Sequence, residues 1–210
     1  MRRVFSILLV ILLAVCSAPA VAMDFSISKM SGGLRVVVGS GTIQSGDARK
    51  LTRALGRAGR DEQGTKQLLL NSAGGMVLEA LKMADVMSRV GVSTIVPKGS
   101  VCASACASVV FVAGKYRRLD RGGSLAIHSC YDSRTGSAVS ECNAIISARA
   151  QAGGVSGLAL MALQEAAGSR SIVVLDTDDA ACFGLTLKPG ARARKVPPCL
   201  AEALEAEGRR

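Results

Sequence analysis

A serine, a histidine and a glycine pair are the residues of this sequence whose types could together perform acyl transfer. Ser104 lies in the segment Cys-Ala-Ser-Ala-Cys, where small side chains would let a substrate backbone approach its hydroxyl. His128 is the single histidine of the chain, and imidazole is the side chain best suited to act as a base near neutral pH. We therefore take Ser104 as the candidate nucleophile and His128 as the candidate general base.

Acyl transfer also needs N–H donors for the developing oxyanion, and the candidates are Gly74, Gly75 and Ala105. The glycines follow an apolar segment and have no Cβ to block an approaching substrate. Ala105 follows the nucleophile at the start of an expected helix, where the first N–H groups have no intrahelical acceptor. Each signal has a commoner structural explanation, as an N-cap, a tight turn or a structural histidine. The combination of serine, histidine and glycine pair indicates acyl transfer more specifically than any one of these residues does.

Strands and helices alternate along the chain in an order that would bring these turns to one edge of a sheet. Residues 101–114 are rich in small side chains, and their apolar second half predicts a buried helix. This alternation predicts an α/β fold with a mainly parallel sheet, in which ligand sites gather at the carboxyl ends of the strands. Apolar patterning predicts strands at residues 34–38, 67–70, 92–96, 124–127 and 172–175, and helices at 48–58, 76–90, 138–149, 155–167, 178–183 and 200–207.

About a third of the chain, residues 68–129, resembles the core of the Clp protease proteolytic subunit, a member of the crotonase superfamily. Asn-Ser-Ala-Gly-Gly at residues 71–75 resembles the oxyanion loop of that family, and Val-Ser-Thr-Ile at 92–95 resembles the strand before its nucleophile. Ala-Ser-Ala at 103–105 resembles the nucleophile segment, and Ala-Ile-His-Ser at 126–129 the histidine segment. A periplasmic branch of the superfamily, which carries Cys-Ala-Ser-Ala-Cys, is a closer likeness.

This resemblance implies a Clp-protease/crotonase-like spiral of β-β-α units. It also implies serine peptidase chemistry on a peptide or protein substrate, and assembly into a homo-oligomer. A fold of this kind that no longer cleaves anything, and serves as a binding or assembly module, is the alternative function.

The third residue of a catalytic triad is where the sequence departs from the family. Upstream of the turn at residues 184–185, where the family has an acid, this chain has Ser171 and Ile172. Asp176 is the best carboxylate candidate because it follows an apolar run that could end as a strand. The competing interpretation is that Asp176 caps the helical turn after it. If Asp176 is not the orienting group, a Ser–His dyad remains, as does a histidine that a backbone carbonyl or Ser171 orients.

The chain has seven cysteines, and six of them would remain if an N-terminal segment that contains Cys16 is removed on export. An even number in an exported chain favours pairing, so these six predict disulfide bonds. Local spacing favours the pairs Cys102–Cys106, Cys130–Cys142 and Cys182–Cys199. A zinc site that combines His128 with three of these cysteines is an alternative, but the chain has no second histidine. A redox-active thiol pair is a further interpretation, although Cys-x-x-x-Cys is not the usual redox motif. We expect no metal and no cofactor.

The N-terminus has the layout of a secretory signal peptide. Two arginines precede an apolar run at residues 4–15, and small residues at 20–22 suit a signal peptidase. The run is shorter than the ~20 residues that span a bilayer, so a retained anchor is the weaker alternative, as is a lipoprotein at Cys16. We predict a signal peptide at residues 1–22 and a single soluble domain at 23–210, located in the periplasm or secreted.

The charge of the chain is strongly basic. Its formal value is +10, and the loss of the two N-terminal arginines would leave +8. Part of the surplus lies in a basic C-terminal tail that includes Arg192, Arg194 and Lys195. The chain has no Trp, two Tyr and four Phe, whereas nucleic-acid binders usually interleave aromatic and basic side chains. We therefore expect no nucleic-acid partner, and assign the charge to solubility or attraction to an anionic surface.

Overall fold

The structure, a computed structural model, describes residues 21–132 and 134–207. Nearly all of the predicted signal peptide therefore lies outside the described residues. The described strands are β1 (Asp24–Lys29), β2 (Arg35–Ser40), β3 (Lys66–Asn71), β4 (Val92–Val96), β5 (Val101–Ala103), β6 (Arg117–Leu119), β7 (Ser124–Ile127) and β8 (Val173–Leu175). The helices are α1 (Asp47–Arg57), α2 (Val77–Val90), α3 (Ser140–Ala152), α4 (Gly157–Ala167), α5 (Thr177–Cys182) and α6 (Pro198–Glu207), with a π-helix at Cys106–Phe111.

A five-stranded sheet forms the larger layer, in the order β1-β2-β3-β4-β6. β1 is antiparallel to β2, and the other neighbours are parallel. The helices α1 and α2 are the crossovers that parallel pairing of β2, β3 and β4 requires. Every residue of β4 is buried, as expected of a central strand covered on both faces. The sequence-based prediction of an α/β fold with a mainly parallel sheet is confirmed.

Helical spacing explains how α1 and α2 pack on this sheet. Leu51, Ala54 and Leu55 of α1 are buried, as are Ala80, Met83, Ala84 and Met87 of α2. These positions recur every three or four residues, so each helix presents one apolar stripe to the core. The π-helix lies in the same core, with all six of its residues buried.

A smaller sheet, in the order β5-β7-β8, carries the residues of the candidate site. β5 is parallel to β7, and β8 is antiparallel to β7. The two sheets meet at Ser72, whose N–H donates to the Val101 carbonyl at 2.7 Å and whose carbonyl accepts the Ala103 N–H at 2.8 Å. The chain that leaves β3 therefore passes directly alongside β5.

Three of the described strands have no counterpart among the sequence-based predictions. β1 reads Asp-Phe-Ser-Ile-Ser-Lys, in which only two apolar residues alternate with polar ones. β5 lies in the small-residue segment for which the sequence predicts a turn and a helix, and β6 contains two arginines in three residues. These strands owe their positions to pairing with neighbours, which residue propensity does not report.

The cysteine pairing predicted from spacing is confirmed. Cys102–Cys106, Cys130–Cys142 and Cys182–Cys199 are bonded, with Cα–Cα distances of 5.2, 5.9 and 5.2 Å. The zinc alternative is therefore wrong, because cysteines in disulfides have no thiolate to offer a metal. No described helix is both long and apolar enough to cross a membrane.

A buried carboxylate caps α1 from the neighbouring helix. Gly46, at the N-cap position, has no side chain to offer, and Glu79 of α2 accepts the N–H groups of Gly46 at 3.1 Å and Ala48 at 2.9 Å. The hydrogen bond from Ala48 is the largest cause that holds the pKa of the Glu79 carboxyl below its ordinary value of 4.5. Glu79 therefore accepts the N–H groups at the start of α1 that an N-cap side chain accepts in other helices.

We expect Glu79→Ala to lower the free energy of unfolding by about 1–2 kcal/mol at pH 7, the usual cost of losing a cap. Because folding lowers this pKa, the ionised carboxylate stabilises the fold above pH 4.5, and that contribution is lost as pH falls through the folded pKa. Urea denaturation of both proteins from pH 7 to pH 3 should show the difference shrinking on acidification. Glu62→Ala, at an exposed position, is the control. A difference that stays constant with pH would contradict the capping role.

Candidate active site

The backbone at Ser104 makes a sharp strand-to-helix turn. Among the described residues, Ser104 is the only non-glycine residue with a positive φ, at 54°. Its N–H donates to the Ala126 carbonyl of β7 at 2.7 Å, and its carbonyl accepts both the N–H and the hydroxyl of Ser108, at 2.9 and 2.8 Å. β5 ends one residue before it, and the π-helix begins two residues after it. Three hydrogen bonds thus fix the backbone of the half-buried candidate nucleophile.

Gly74 packs against this turn so closely that only glycine fits. A Cβ at Gly74 would lie 2.7 Å from the Ser104 Cβ and 2.6 Å from the Ala103 carbonyl oxygen. The φ of Gly74 is +91°, a backbone conformation that residues other than glycine rarely adopt. The Gly74 N–H is already used, since it donates to the Ser72 hydroxyl at 3.1 Å. Gly74 therefore shapes the site without a free N–H, which corrects its assignment as an oxyanion donor.

Gly75 and Ala105 remain the candidates for oxyanion donors. Gly75 forms a parallel bridge with Ile43 in which the hydrogen bonds come from its neighbours: Ile43 N–H to the Gly74 carbonyl at 2.7 Å, and Met76 N–H to the Ile43 carbonyl at 3.0 Å. The N–H of Gly75 itself points away from that bridge, and it has no acceptor in the described part of the chain. Ala105 is in the first helical turn after the nucleophile, where N–H groups lack intrahelical acceptors.

His128 directly follows β7, the strand that pairs with β5 next to the nucleophile turn. The register pairs Ala103 with Ala126, so Ser104 and His128 both lie just beyond the paired ends of adjacent parallel strands. The Nδ1 of His128 is 2.7 Å from the Ser129 carbonyl. A proton on Nδ1 that donates to this carbonyl leaves Nε2 as the basic nitrogen. No hydrogen bond joins His128 to the Ser104 hydroxyl in the described structure.

The structure gives Asp176 the capping role. Its Oδ1 accepts the N–H groups of Asp178 at 2.8 Å and Asp179 at 2.9 Å, and the Asp179 carboxylate accepts the Asp176 N–H in return. β8 runs antiparallel to β7 with Leu175 opposite Leu125, so Asp176 comes next to residue 124. That is four residues from His128, or about 13 Å along a strand. The contacts do not support Asp176 as the group that orients the imidazole, because the antiparallel direction of β8 carries it to the far end of β7.

The same register places Ile172 opposite His128, with Ser171 beyond it. The Ser171 hydroxyl donates to the Ala167 carbonyl, so it is committed to the end of α4. Of the orienting groups that the sequence suggests, the backbone carbonyl is the one that contacts His128, and it belongs to Ser129. A residue pattern does not reveal a carbonyl partner, since every residue has a carbonyl.

Two supporting hydroxyls are not evident from the sequence motifs. Ser72 and Ser108 are both buried, and each holds part of the site through the bonds given above. A buried serine needs a hydrogen-bond partner. Ser108 is a polar residue within the otherwise apolar segment 106–111, and this hydropathy pattern, rather than a motif, is the sequence feature that indicates its supporting role. No group of three or more potential metal ligands occurs among the described residues.

Comparison with known proteins supports the fold and nothing finer. No family model and no curated protein matches the chain. Among solved structures, the ClpP protease catalytic domain of Plasmodium falciparum is 16% identical, with a TM-score of 0.52 over 71% of this chain and 83% of that one. The 1510-N membrane-bound stomatin-specific protease is 16% identical, with a TM-score of 0.55 over 71% of this chain and 75% of that one. A complex of that protease with a substrate peptide is 17% identical, with a TM-score of 0.54 over 71% of this chain and 71% of that one. Over most of its described length, the chain therefore has the fold of the ClpP-type proteases.

Proposed function

We propose that this chain is an exported serine hydrolase that cleaves peptide bonds, with Ser104 as nucleophile and His128 as general base. The observation that carries the proposal is the left-handed turn at Ser104, which packs against Gly74 and adjoins the strand that His128 follows. A serine whose backbone is held in a strained conformation by three hydrogen bonds is costly to keep unless the conformation is used. Peptides are the proposed substrates because the structures of similar fold are proteases.

The reaction would proceed as acyl transfer in two halves. The Ser104 hydroxyl attacks the substrate carbonyl while Nε2 of His128 takes its proton, and the N–H groups of Gly75 and Ala105 bind the oxyanion. His128 then returns the proton to the leaving amine, which leaves an acyl-enzyme that water hydrolyses by the same route. The Ser129 carbonyl would fix the imidazole tautomer. It carries no full charge to stabilise the imidazolium, so we expect slower turnover than a carboxylate triad supports.

Export is proposed from the cysteine chemistry. All six cysteines of the described residues are paired. Structural disulfides form and persist in oxidising compartments and are rare where thiols are kept reduced. This agrees with the secretory pattern of the first 22 residues, and favours the periplasm or the extracellular space.

A catalytically silent binding module is the second candidate function. It is favoured by two observations: no carboxylate contacts His128, and no hydrogen bond connects His128 to Ser104 in the described structure. Catalytic hydrogen bonds are often absent before substrate binds, so labelling chemistry, rather than geometry, separates the two candidates.

The test is covalent labelling of the protein, expressed with its disulfides formed, by a fluorophosphonate probe. We expect a single label on Ser104, located by peptide mass spectrometry. His128→Gln should slow labelling about 10²-fold or more, the usual contribution of a general base. Asp176→Asn is the matched control and should label at the wild-type rate, since Asn caps helices as well as Asp. Absence of label in the wild-type protein would favour the binding module.

A further inference from the structure

We infer that the Cys102–Cys106 disulfide is a positioning element that keeps Ser104 in its left-handed conformation, so that Ser104 is fully reactive only when this pair is oxidised. The inference rests on the proposed role of Ser104 as nucleophile. It assigns to the two cysteines a part in the reaction that goes beyond their part in stability.

The disulfide encloses the nucleophile. Cys102 lies within β5 and Cys106 is the first residue of the π-helix, so the bond joins the end of a strand to the start of a helix across the three residues between them. Ser104 is the middle residue of this short ring. The separation of the two ends, 5.2 Å between Cα atoms, is thereby fixed by a covalent bond.

Ser104 needs such a constraint because its own side chain does not offset the strain. A left-handed conformation is unfavourable for a residue with a Cβ, and the Ser104 hydroxyl forms no hydrogen bond with the described residues. The hydrogen bonds that Ser104 forms with Ala126 and Ser108 involve only its backbone: its N–H donates to the Ala126 carbonyl, and its carbonyl accepts from Ser108. They can persist only while β5 and the π-helix keep their mutual position, which the disulfide maintains.

Loop closure alone does not account for this bond. The three disulfides join residues 4, 12 and 17 positions apart, and the restriction of the unfolded chain grows with that separation. Cys102–Cys106 therefore contributes least to global stability by this mechanism, although it lies closest to the candidate nucleophile. A positioning role and a purely stabilising role consequently predict opposite rankings of the disulfides.

Burial makes the constraint durable. Both cysteines are fully buried, with 0% exposure, so a reductant cannot reach the bond without local opening of the core. The pair must therefore be oxidised as the chain folds, and the site matures in an oxidising compartment. In a reducing compartment the chain would fold with a relaxed turn at Ser104.

The experiment compares Cys102→Ala/Cys106→Ala with the matched control Cys182→Ala/Cys199→Ala, which removes a longer-range disulfide. We expect the first pair of substitutions to slow fluorophosphonate labelling of Ser104 about tenfold or more, the factor expected when a residue leaves a strained conformation. The control should lose more thermal stability yet label at the wild-type rate. A crystal structure of the first variant should show φ of Ser104 outside the left-handed region.

Several outcomes would overturn the inference. Wild-type labelling by the first variant, or a Ser104 that keeps its left-handed φ without the disulfide, contradicts it. Equal loss of labelling in both variants points to general destabilisation instead. If the first variant does not fold, Cys102→Val/Cys106→Ala refills the lost volume and is judged in the same way. If the wild-type protein itself is not labelled, the proposed function fails, while φ of Ser104 in the variant still decides the role of the disulfide.

Discussion

Replacing Ser104 with Ala should reduce peptidase turnover about 10⁴-fold or more, the loss expected when a nucleophile is removed from a serine hydrolase. The physical reason is that no other hydroxyl lies in the strained turn between β5 and the π-helix. The fold should be unchanged, because the lost oxygen forms no hydrogen bond with the described residues and Ala retains the Cβ that packs against Gly74. The measurement is kcat on a peptide substrate, with circular dichroism and Tm as checks on folding.

Ser124→Ala is the matched control for this change. Ser124 begins β7, is half-buried, and takes part in a backbone hydrogen bond to Ser100 that does not involve its hydroxyl. We expect it to keep wild-type turnover. Turnover by Ser104→Ala within a factor of ten of wild type would refute the nucleophile assignment, and would require another group to attack the substrate.

Replacing Arg117 with Met should lower the free energy of unfolding by about 3 kcal/mol or more. Arg117 lies on β6 with 2% exposure, and burial lowers its pKa to about 10, so the guanidinium stays protonated at neutral pH. In the described structure, every hydrogen bond of this guanidinium is donated to a backbone carbonyl. The carbonyls are those of Leu185 at 2.7 Å, Gly114 at 3.0 Å, Gly153 at 3.4 Å and Gly154 at 3.5 Å.

These carbonyls belong to three separate segments, which Arg117 holds together. Gly114 follows the π-helix, Gly153 and Gly154 follow α3, and Leu185 follows α5. Methionine fills a similar volume but leaves the carbonyls without donors, and each unpaired buried acceptor costs about 1–3 kcal/mol. For a domain of this size the loss corresponds to a fall in Tm of roughly 6–12 °C, measurable by scanning calorimetry.

The adjacent residue provides the control. Arg118 points to the other face of β6, is largely exposed, and pairs with Asp120 at 2.8 Å. Surface ion pairs are worth about 0–1 kcal/mol, so Arg118→Met should change Tm by only a few degrees. Equal effects of the two substitutions would show that the carbonyl contacts of Arg117 do not carry the stability assigned to them.

The elements that the sequence predicted best are those whose apolar pattern is set by burial in the core. The predicted strands at residues 92–96 and 124–127 have the bounds that the structure shows. The predicted helices at 48–58 and 76–90 agree with α1 and α2 to within one residue at each end. β6 could not be recognised, because Arg117 is buried through hydrogen bonds to carbonyls that lie far away in the chain. A cation in a short segment is typical of exposed loops, and tertiary contacts alone reverse that expectation.

For the site, the sequence by itself determined the residue types and their order: a serine among small residues and between two cysteines, a glycine pair after a strand, and one histidine at a strand end. Spacing favoured the three cysteine pairs, since short separations limit how far two cysteines can lie apart, but only the structure decided the pairing.

The tertiary structure decided what each group is free to do. It showed that the Gly74 N–H is taken by Ser72, that Ser104 adopts a left-handed φ, and that Nδ1 of His128 meets a carbonyl. It also placed Asp176 at the end of β7 that is far from His128, because β8 runs antiparallel to β7. Strand direction and hydrogen-bond partners depend on segments distant in sequence, and a local pattern of residue types contains no information about either.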